Sequence, residues 1–319
     1  MPNAKKICRR LRDLGNLNEG QATVLMNFEE PPTREMLVAH VEHLAGRIGP
    51  RILAKPESIE ATTGYLRAQW QQMGYQVREE TYQSSDGPAT NLLVEIPGTQ
   101  PGRDVIVLGA HYDTVAHSPG ADDNASAVAV LLEASRLLKK QTPRHTLRFV
   151  AFACEESPYM SLGSMGSQHH ARQAKLRDEQ IQMLCLEMVG YFRDEPNSQK
   201  VPPTIPKLLH GLFPKQGNFL AAVGNLSSWR LNWAFRRGFK QGTRLRLFTI
   251  NLPEKIQEIR RSDNSSFWDQ GYPALMLTDT SFLRNPNYHQ PTDTPETLDF
   301  DRMTQVAVGV ASAMLRLGK

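Results

Sequence analysis

Five places along the chain set acids or imidazoles where an apolar run ends. Gly109-Ala110-His111-Tyr112-Asp113-Thr114 closes one run with a histidine and, two residues later, an aspartate, and Ala121-Asp122-Asp123-Asn124-Ala125-Ser126 begins eight residues beyond that aspartate. Glu155-Glu156 end a third run, Glu187 a fourth, and His289 stands in the turn-rich Asn287-Tyr288-His289-Gln290-Pro291-Thr292-Asp293-Thr294. Nitrogen and oxygen donors without thiolate suit zinc, manganese or cobalt. A carboxylate can bridge two such ions about 3.5–4 Å apart, and the natural chemistry of the pair is hydrolysis. The ions polarise a carbonyl and activate water, and a free carboxylate carries the proton.

Each place also has a plainer reading. A His-x-Asp pair taken alone is more often structural than a ligand with its orienting carboxylate. In Asp122-Asp123 one carboxylate could bind metal while the other holds backbone amides near a helix start, or both could simply cap the helix. Neighbouring Glu155 and Glu156 point in different directions, so one can bind metal and the other handle protons; a solvated loop is the alternative. Glu187 sits in Leu184-Cys185-Leu186-Glu187-Met188-Val189-Gly190, where desolvation demands a partner and a cation would serve. No amphipathic pattern around His289 would bury its imidazole by default. The convergence of all five favours a metal site.

The elements that must carry these residues follow from periodicity. Thr33 caps a helix with Leu37, Val41, Leu44, Ala45 and Ile48 on one face, stopped by Gly49-Pro50. A second helix has Pro56 in its first turn and Gly74 just past its end. Strands are predicted at 75–82, 91–96 and 104–110, the last delivering His111. Asn124 is placed to cap a helix carrying Val128, Leu131, Leu132, Ser135 and Leu138. Buried strands at 146–154, 181–186 and 273–278 alternate with helical segments, and a last helix from Phe300 closes the fold. This pattern reads as α/β: a single domain with a central mixed, mostly parallel sheet flanked by helices on both faces. Residues 1–32 read as an N-terminal arm and 33–319 as the domain, with the proline-rich and then basic stretch 192–250 as an insertion beside the core.

Bulk properties exclude several classes. With 319 residues, 40% hydrophobic and 22% charged, the chain is an ordinary globular one with ample core. A net charge of +4, from 37 basic and 33 acidic residues, is too small to imply nucleic acid. Cys8, Cys154 and Cys185 are odd in number and widely spaced, which argues against disulfides and a cysteine metal cluster and fits a cytoplasmic protein. The basic start at Lys5, Lys6, Arg9, Arg10 and Arg12 has no apolar stretch behind it, so no secretion signal is readable, and no segment would cross a membrane. Neither nucleic acid nor a membrane is an expected partner.

Taken together and in order, Gly109–Asp113, Gly120–Ser126, Phe152–Glu156, Leu186–Gly190 and Tyr288–Thr294 resemble the co-catalytic zinc aminopeptidase family, which includes bacterial leucyl aminopeptidase, aminopeptidase Y and plasma glutamate carboxypeptidase. The resemblance spans Thr33 to the C-terminus. It implies two zinc ions bridged by Asp122, with His111 and Glu187 completing one site and Glu156 and His289 the other. Glu155 would be the general base that takes the proton of the attacking water, Asp113 would orient His111, and the Asp122–Asp123 bond would be cis. The implied activity is removal of N-terminal residues from peptides.

The chain departs from the family pattern at Ala127, where glycine is common, and at Asn264, where histidine is usual. Ile259 stands where leucyl aminopeptidase has a tyrosine that helps polarise the carbonyl, which leaves the oxyanion donor unassigned. Arg284 is a candidate to touch a substrate carboxylate or carbonyl, with a structural ion pair as the alternative. The acid-free stretch from Leu226 to Arg246, with Arg230, Arg236, Arg237, Lys240, Arg244 and Arg246, could rim the cleft or be a solvated face. His169-His170 are expected on a surface helix, outside the site. Alternatives to an aminopeptidase are a carboxypeptidase or dipeptidase of the same family, a single-zinc acyltransferase resembling glutaminyl cyclase, and a non-catalytic peptidase-like binding domain.

Overall fold

The computed structural model describes residues 33–100, 102 and 104–319; the arm expected at 1–32 lies outside the described residues. Helix α1 (Thr33–Val41) continues as a looser π-helical turn over Glu42–Ile48 and stops at Gly49, whose φ of 76° suits a residue without Cβ. Helix α2 (Pro56–Gln72) opens on its proline and buries Leu66 and Trp70. There follow β1 (Arg78–Ser84), β2 (Gly87–Ile96), β3 (Asp104–His111), α3 (Ala127–Leu138), β4 (Thr146–Phe152), α4 (Tyr159–Leu162), α5 (Gly166–Leu176) and β5 (Gln180–Glu187). The chain then forms β6 (Phe219–Asn225), α6 (Trp229–Gly242), β7 (Arg246–Leu252), α7 (Asn264–Trp268), β8 (Ala274–Thr278) and α8 (Phe300–Leu317).

Among the described residues the strands make one eight-stranded sheet in the order β1-β2-β4-β3-β5-β8-β6-β7. The central pairs β3–β4, β3–β5 and β5–β8 are parallel, as is β6–β7, while β1–β2, β2–β4 and β6–β8 are antiparallel. The expected mixed, mostly parallel sheet is therefore present. Alternation along β3 sends Ile106, Leu108 and Ala110 to the core under α1, α2, α3 and α8, and Val105 and Val107 to a second core under α5 and α7. Helices cover both faces for that reason.

The stretch 192–250 differs from the expectation. It contributes β6, α6 and β7 to the body of the domain, with β6 buried between β8 and β7. Helix α6 lies close on α8: a Cβ added to Gly238 would stand 2.6 Å from the Ala313 Cα, and one on Gly309 2.5 Å from the Phe239 ring. Edge strand β7 is half-exposed along most of its length and shows no clean alternation, which is why periodicity hides it. The segment 192–218 before it is irregular except for a short 3₁₀ turn over Lys207–Leu212.

Candidate metal centre

Parallel strands bring their C-terminal ends to one edge of the sheet, and the chemistry collects there. His111 is the last residue of β3 and Glu187 the last of β5, its hydrogen-bonded neighbour; Glu155 and Glu156 lie just past β4 on the other side of β3. His111 Nε2 is 3.4 Å from Glu187 Oε2, 3.5 Å from Asp123 Oδ1 and 3.8 Å from Glu155 Oε2. His289 Nε2 is 3.1 Å from Asp123 Oδ2 and 3.3 Å from Glu156 Oε2. Two donor groups result, His111 with Glu155 and Glu187, and Asp123 with Glu156 and His289; Asp123 turns one oxygen towards each histidine.

Two buried aspartates hold the loop-borne acids by the same device. Asp113 accepts hydrogen bonds from the backbone N–H of Glu155 (3.0 Å) and of Glu156 (3.1 Å), one on each carboxylate oxygen, while its Oδ1 lies 3.5 Å from His111 Nδ1. Asp293 does the same for Asp122 N (2.9 Å) and Asp123 N (3.1 Å). Ser262 Oγ donates to Glu187 Oε2 at 2.6 Å, which fixes that carboxylate beside His111. Beneath them Arg51, 1% exposed, donates to the carbonyls of Leu44, Gly49, Tyr112, Pro119 and Gly120 and so pins the loop between β3 and Asp123. Nothing in the sequence singles Arg51 out, because its partners are all backbone atoms. Cys154, Met188 and His289, each a residue of this centre or next to one, have positive φ of 59°, 49° and 58°. Non-glycine residues held there concentrate at functional sites.

The resemblance implies Asp122 as the bridging residue; in the structure it is Asp123, and not Asp122, that stands between His111 and His289. Asp122 is fully buried and turned away, accepting from Gly190 N (2.9 Å) and Asn285 Nδ2 (2.7 Å). Burial, together with Asp279 beside it, pushes its carboxyl well up. The cis bond shifts by one residue as well: it joins Asp123 to Asn124. Asn124 is no helix cap, for its side chain donates to Leu186 O and accepts from Met188 N, which ties the bridge loop to the end of β5.

The electrostatics fit a cation. His111 Nε2, Asp123 Oδ1 and Glu156 Oε1 are buried with no hydrogen-bond partner. Burial and the neighbouring Asp123 push Glu156 up to about 7, and burial pushes Glu155 well up against the opposing pull of His111. Burial would lower His289, but its bonds to Asp123 and Glu156 hold it at about 10. Carboxylates driven towards neutrality beside imidazoles driven towards charge mark a surplus of negative donors, which bound cations relieve.

A model of Peptidase family M28 matches residues 91–314, a span that contains all the candidate metal donors His111, Asp123, Glu155, Glu156, Glu187 and His289. The chain belongs to that family of metallopeptidases. It is 33% identical over 289 residues to the uncharacterized protein YfbL of Escherichia coli K12, covering 88% of this chain and 87% of the relative. It is also 33% identical over 163 residues to aminopeptidase YwaD of Bacillus subtilis, where the match spans 49% of this chain and only 32% of the relative. Among solved structures, a zinc aminopeptidase from Bacillus subtilis superposes with a TM-score of 0.69 at 15% identity over 89% of this chain and 95% of its own. Glutaminyl cyclase of Porphyromonas gingivalis does so with a TM-score of 0.64 at 19% identity over 88% of this chain and 97% of its own. The expected fold class and family are thus borne out, and the fold alone is shared with the structural neighbours.

An apolar cavity of this M28 chain opens beside Glu187, lined by Phe213, Phe219, Phe248, Ile250, Met276 and Phe282 among others. Ile259 lies in that lining, which explains an apolar residue where a tyrosine was expected. Tyr288 also faces the cavity, its ring stacked on His289 with centroids 3.8 Å apart. Burial and the charges of Asp123, Glu156 and Glu187 push its hydroxyl above the usual phenol value. Sequence reasoning passed over Tyr288, though its place directly before His289 was a usable signal.

Arg284 needs correction as a substrate contact. It is 6% exposed and donates to Gln199 Oε1 (2.9 Å), Tyr191 O (3.2 Å) and Phe219 O (3.0 Å), with its guanidinium over the Phe219 ring. Its role is to brace the irregular 192–218 segment. His170 is likewise not at the surface: it is fully buried on α5, 2.6 Å from Glu80 and 3.3 Å from Arg148, while His169 stacks on Tyr82.

Proposed function

We propose that this chain is a two-zinc aminopeptidase. The observation that carries the reading is Asp123, whose two oxygens are divided between His111 and His289, each histidine having its own glutamate. Asp123 would be the bridging ligand, His111 and Glu187 would complete one site, and Glu156 and His289 the other. Zinc held by these residues would supply a Lewis acid for the scissile carbonyl and water that ionises near neutral pH. Manganese or cobalt would suit the same donors.

Glu155 is left over as the general base. Its Oε2 is 3.8 Å from His111 Nε2, against 3.4 Å for Glu187 and 3.5 Å for Asp123, and with Asp123 as the bridging ligand it would remain free to handle protons. Its backbone is fixed by Asp113, and burial raises its proton affinity, which suits a group that takes a proton from water and returns it to the leaving amine. The Tyr288 hydroxyl, on the cavity side, would donate to the developing oxyanion in place of the missing tyrosine. The apolar cavity beside Glu187 would hold the side chain of the residue being released and favour bulky apolar ones.

The choice of amino-terminal cleavage is supported by relatives named as aminopeptidases. A chelator-controlled screen of aminoacyl substrates, dipeptides and N-blocked peptides tests it. Zinc-restored release from free N-termini is expected; release from blocked peptides would overturn it. The glutaminyl-cyclase likeness favours a second reading, a single-zinc acyltransferase, for which one zinc per chain and cyclisation of N-terminal glutamine would speak.

A further inference from the structure

Helix α6 presents an outward face that the peptidase reading does not use. Its inward face, Leu231, Phe235 and Phe239, is buried on the core. Its outward sector holds Trp229 and Trp233, each 56% exposed, with Arg230, Arg236, Arg237 and Lys240 around them; Leu226, 59% exposed, precedes them. Arg230 lies over the Trp229 ring (5.2 Å) and Arg237 over that of Trp233 (4.6 Å). Of the chain's four tryptophans the other two, Trp70 and Trp268, are buried, so the indole exposure is confined to this helix. No acid occurs from Leu226 to Arg246. Arg230 also lines a neighbouring groove with Arg316 and Lys319, which widens the basic surface. Glu254, bound to Asn225 at the foot of this region, is held by Arg260.

We infer that this face docks on an anionic lipid bilayer surface, lying in the headgroup region without spanning it. Indole rings favour the interface, guanidinium groups pair with lipid phosphates, and a helix with both on one face and an apolar face already buried can adhere as a shallow patch. A second copy of the chain is disfavoured, because a twofold contact would set like charges against each other. The expectation of no membrane partner rested on the lack of a spanning segment, and no helix among the described residues is long and apolar enough to cross. That criterion does not speak to a surface patch.

The orientation follows from the sheet. Antiparallel pairing sets Ala221 against Thr278, so β6 ends and α6 begins at the sheet end opposite the metal centre, where Ser228 Oγ accepts from Ala274 N. Strand β7 begins again beside Phe219, so α6 runs back along a face of the sheet; docking through Trp229 and Trp233, near its start, sets the bilayer against that face and nearer the end far from the centre, and hydrolysis of free peptides continues on the membrane.

The full chain is mixed with vesicles of equal parts phosphatidylglycerol and phosphatidylcholine, and separately with pure phosphatidylcholine, and sedimentation and tryptophan emission are read. Binding to the anionic vesicles with a blue shift is expected, lost in high salt. Arg236→Glu with Arg237→Glu is expected to weaken partition at least ~30-fold, and Trp229→Ala with Trp233→Ala on the order of tenfold with loss of the blue shift. Peptidase turnover of both variants in solution stays at the wild-type value, which shows that they fold. No partition of the wild type, or partition that both variants retain, overturns the inference. So does binding of polyglutamate or heparin in its stead, or a concentration-dependent dimer that the same substitutions abolish.

Discussion

His111 and Glu187 end two paired strands, are 0% and 9% exposed, and share their environment with the tightly packed sheet. Asp123, Glu156 and His289 stand on loops; the His289 side chain is 30% exposed and its backbone has a φ of 58°. His111 and Glu187 are positioned by strand register, whereas Glu156 and Asp123 are held through their backbone N–H groups by side-chain clamps from Asp113 and Asp293. Losing an inner donor should therefore disturb both metal and fold, whereas losing an outer one should act on the metal alone. His111→Ala is expected to abolish turnover, fail to regain it in excess zinc, and lower the melting temperature of the metal-free protein. His289→Ala should keep that temperature and recover part of its turnover as zinc is raised. Equal rescue of the two would break the contrast.

Glu155 lies beside the inner donors in space, is clamped by Asp113 as Glu156 is, and belongs to neither group by proposed role. Glu155→Gln should retain the zinc content of the wild type while kcat falls by roughly four orders of magnitude. A variant that binds metal and keeps wild-type turnover would return Glu155 to the ligand set. Tyr288 tests the outer side more gently: Tyr288→Phe is expected to lower kcat by about 10²-fold with little change in KM. A change in KM alone would make the tyrosine a wall of the cavity and no more.

The same contrast explains what could be read beforehand. His111, Glu155, Glu156 and Glu187 follow apolar runs, and a strand end is legible from pattern alone. Whether Asp122 or Asp123 faces the centre depends on an irregular turn, where a one-residue shift reverses which carboxylate points in, and periodicity carries no such information. Asn124 reads as a cap because the helix begins nearby, yet its partners lie on β5. Strand β7 escapes because an edge strand half-exposed on both faces has neither alternation nor a continuous apolar run. Arg284 and Arg51 illustrate the converse. A charged side chain that satisfies backbone carbonyls in the core looks, in sequence, like any surface arginine.

Away from the centre, Glu179 offers the smallest effect and a control on the fold itself. Burial would raise its carboxyl, but hydrogen bonds from Arg148 and Arg177 prevail and hold it at about 2. A folded-state value below the unfolded one contributes stability above the unfolded value and loses it as pH falls through the folded one. Glu179→Gln should cost about 1–3 kcal/mol at neutral pH, and the gap in melting temperature should narrow as pH drops towards 2. A gap independent of pH would remove the charge from the explanation.

The claim on which the account rests is that Asp123, and not its neighbour, joins the two halves of the centre. Zinc content after dialysis of Asp123→Asn and Asp122→Asn tests it most directly. The account predicts two zinc ions per chain in the wild type and in Asp122→Asn, and loss of at least one in Asp123→Asn. Full retention in Asp123→Asn with loss in Asp122→Asn would contradict it.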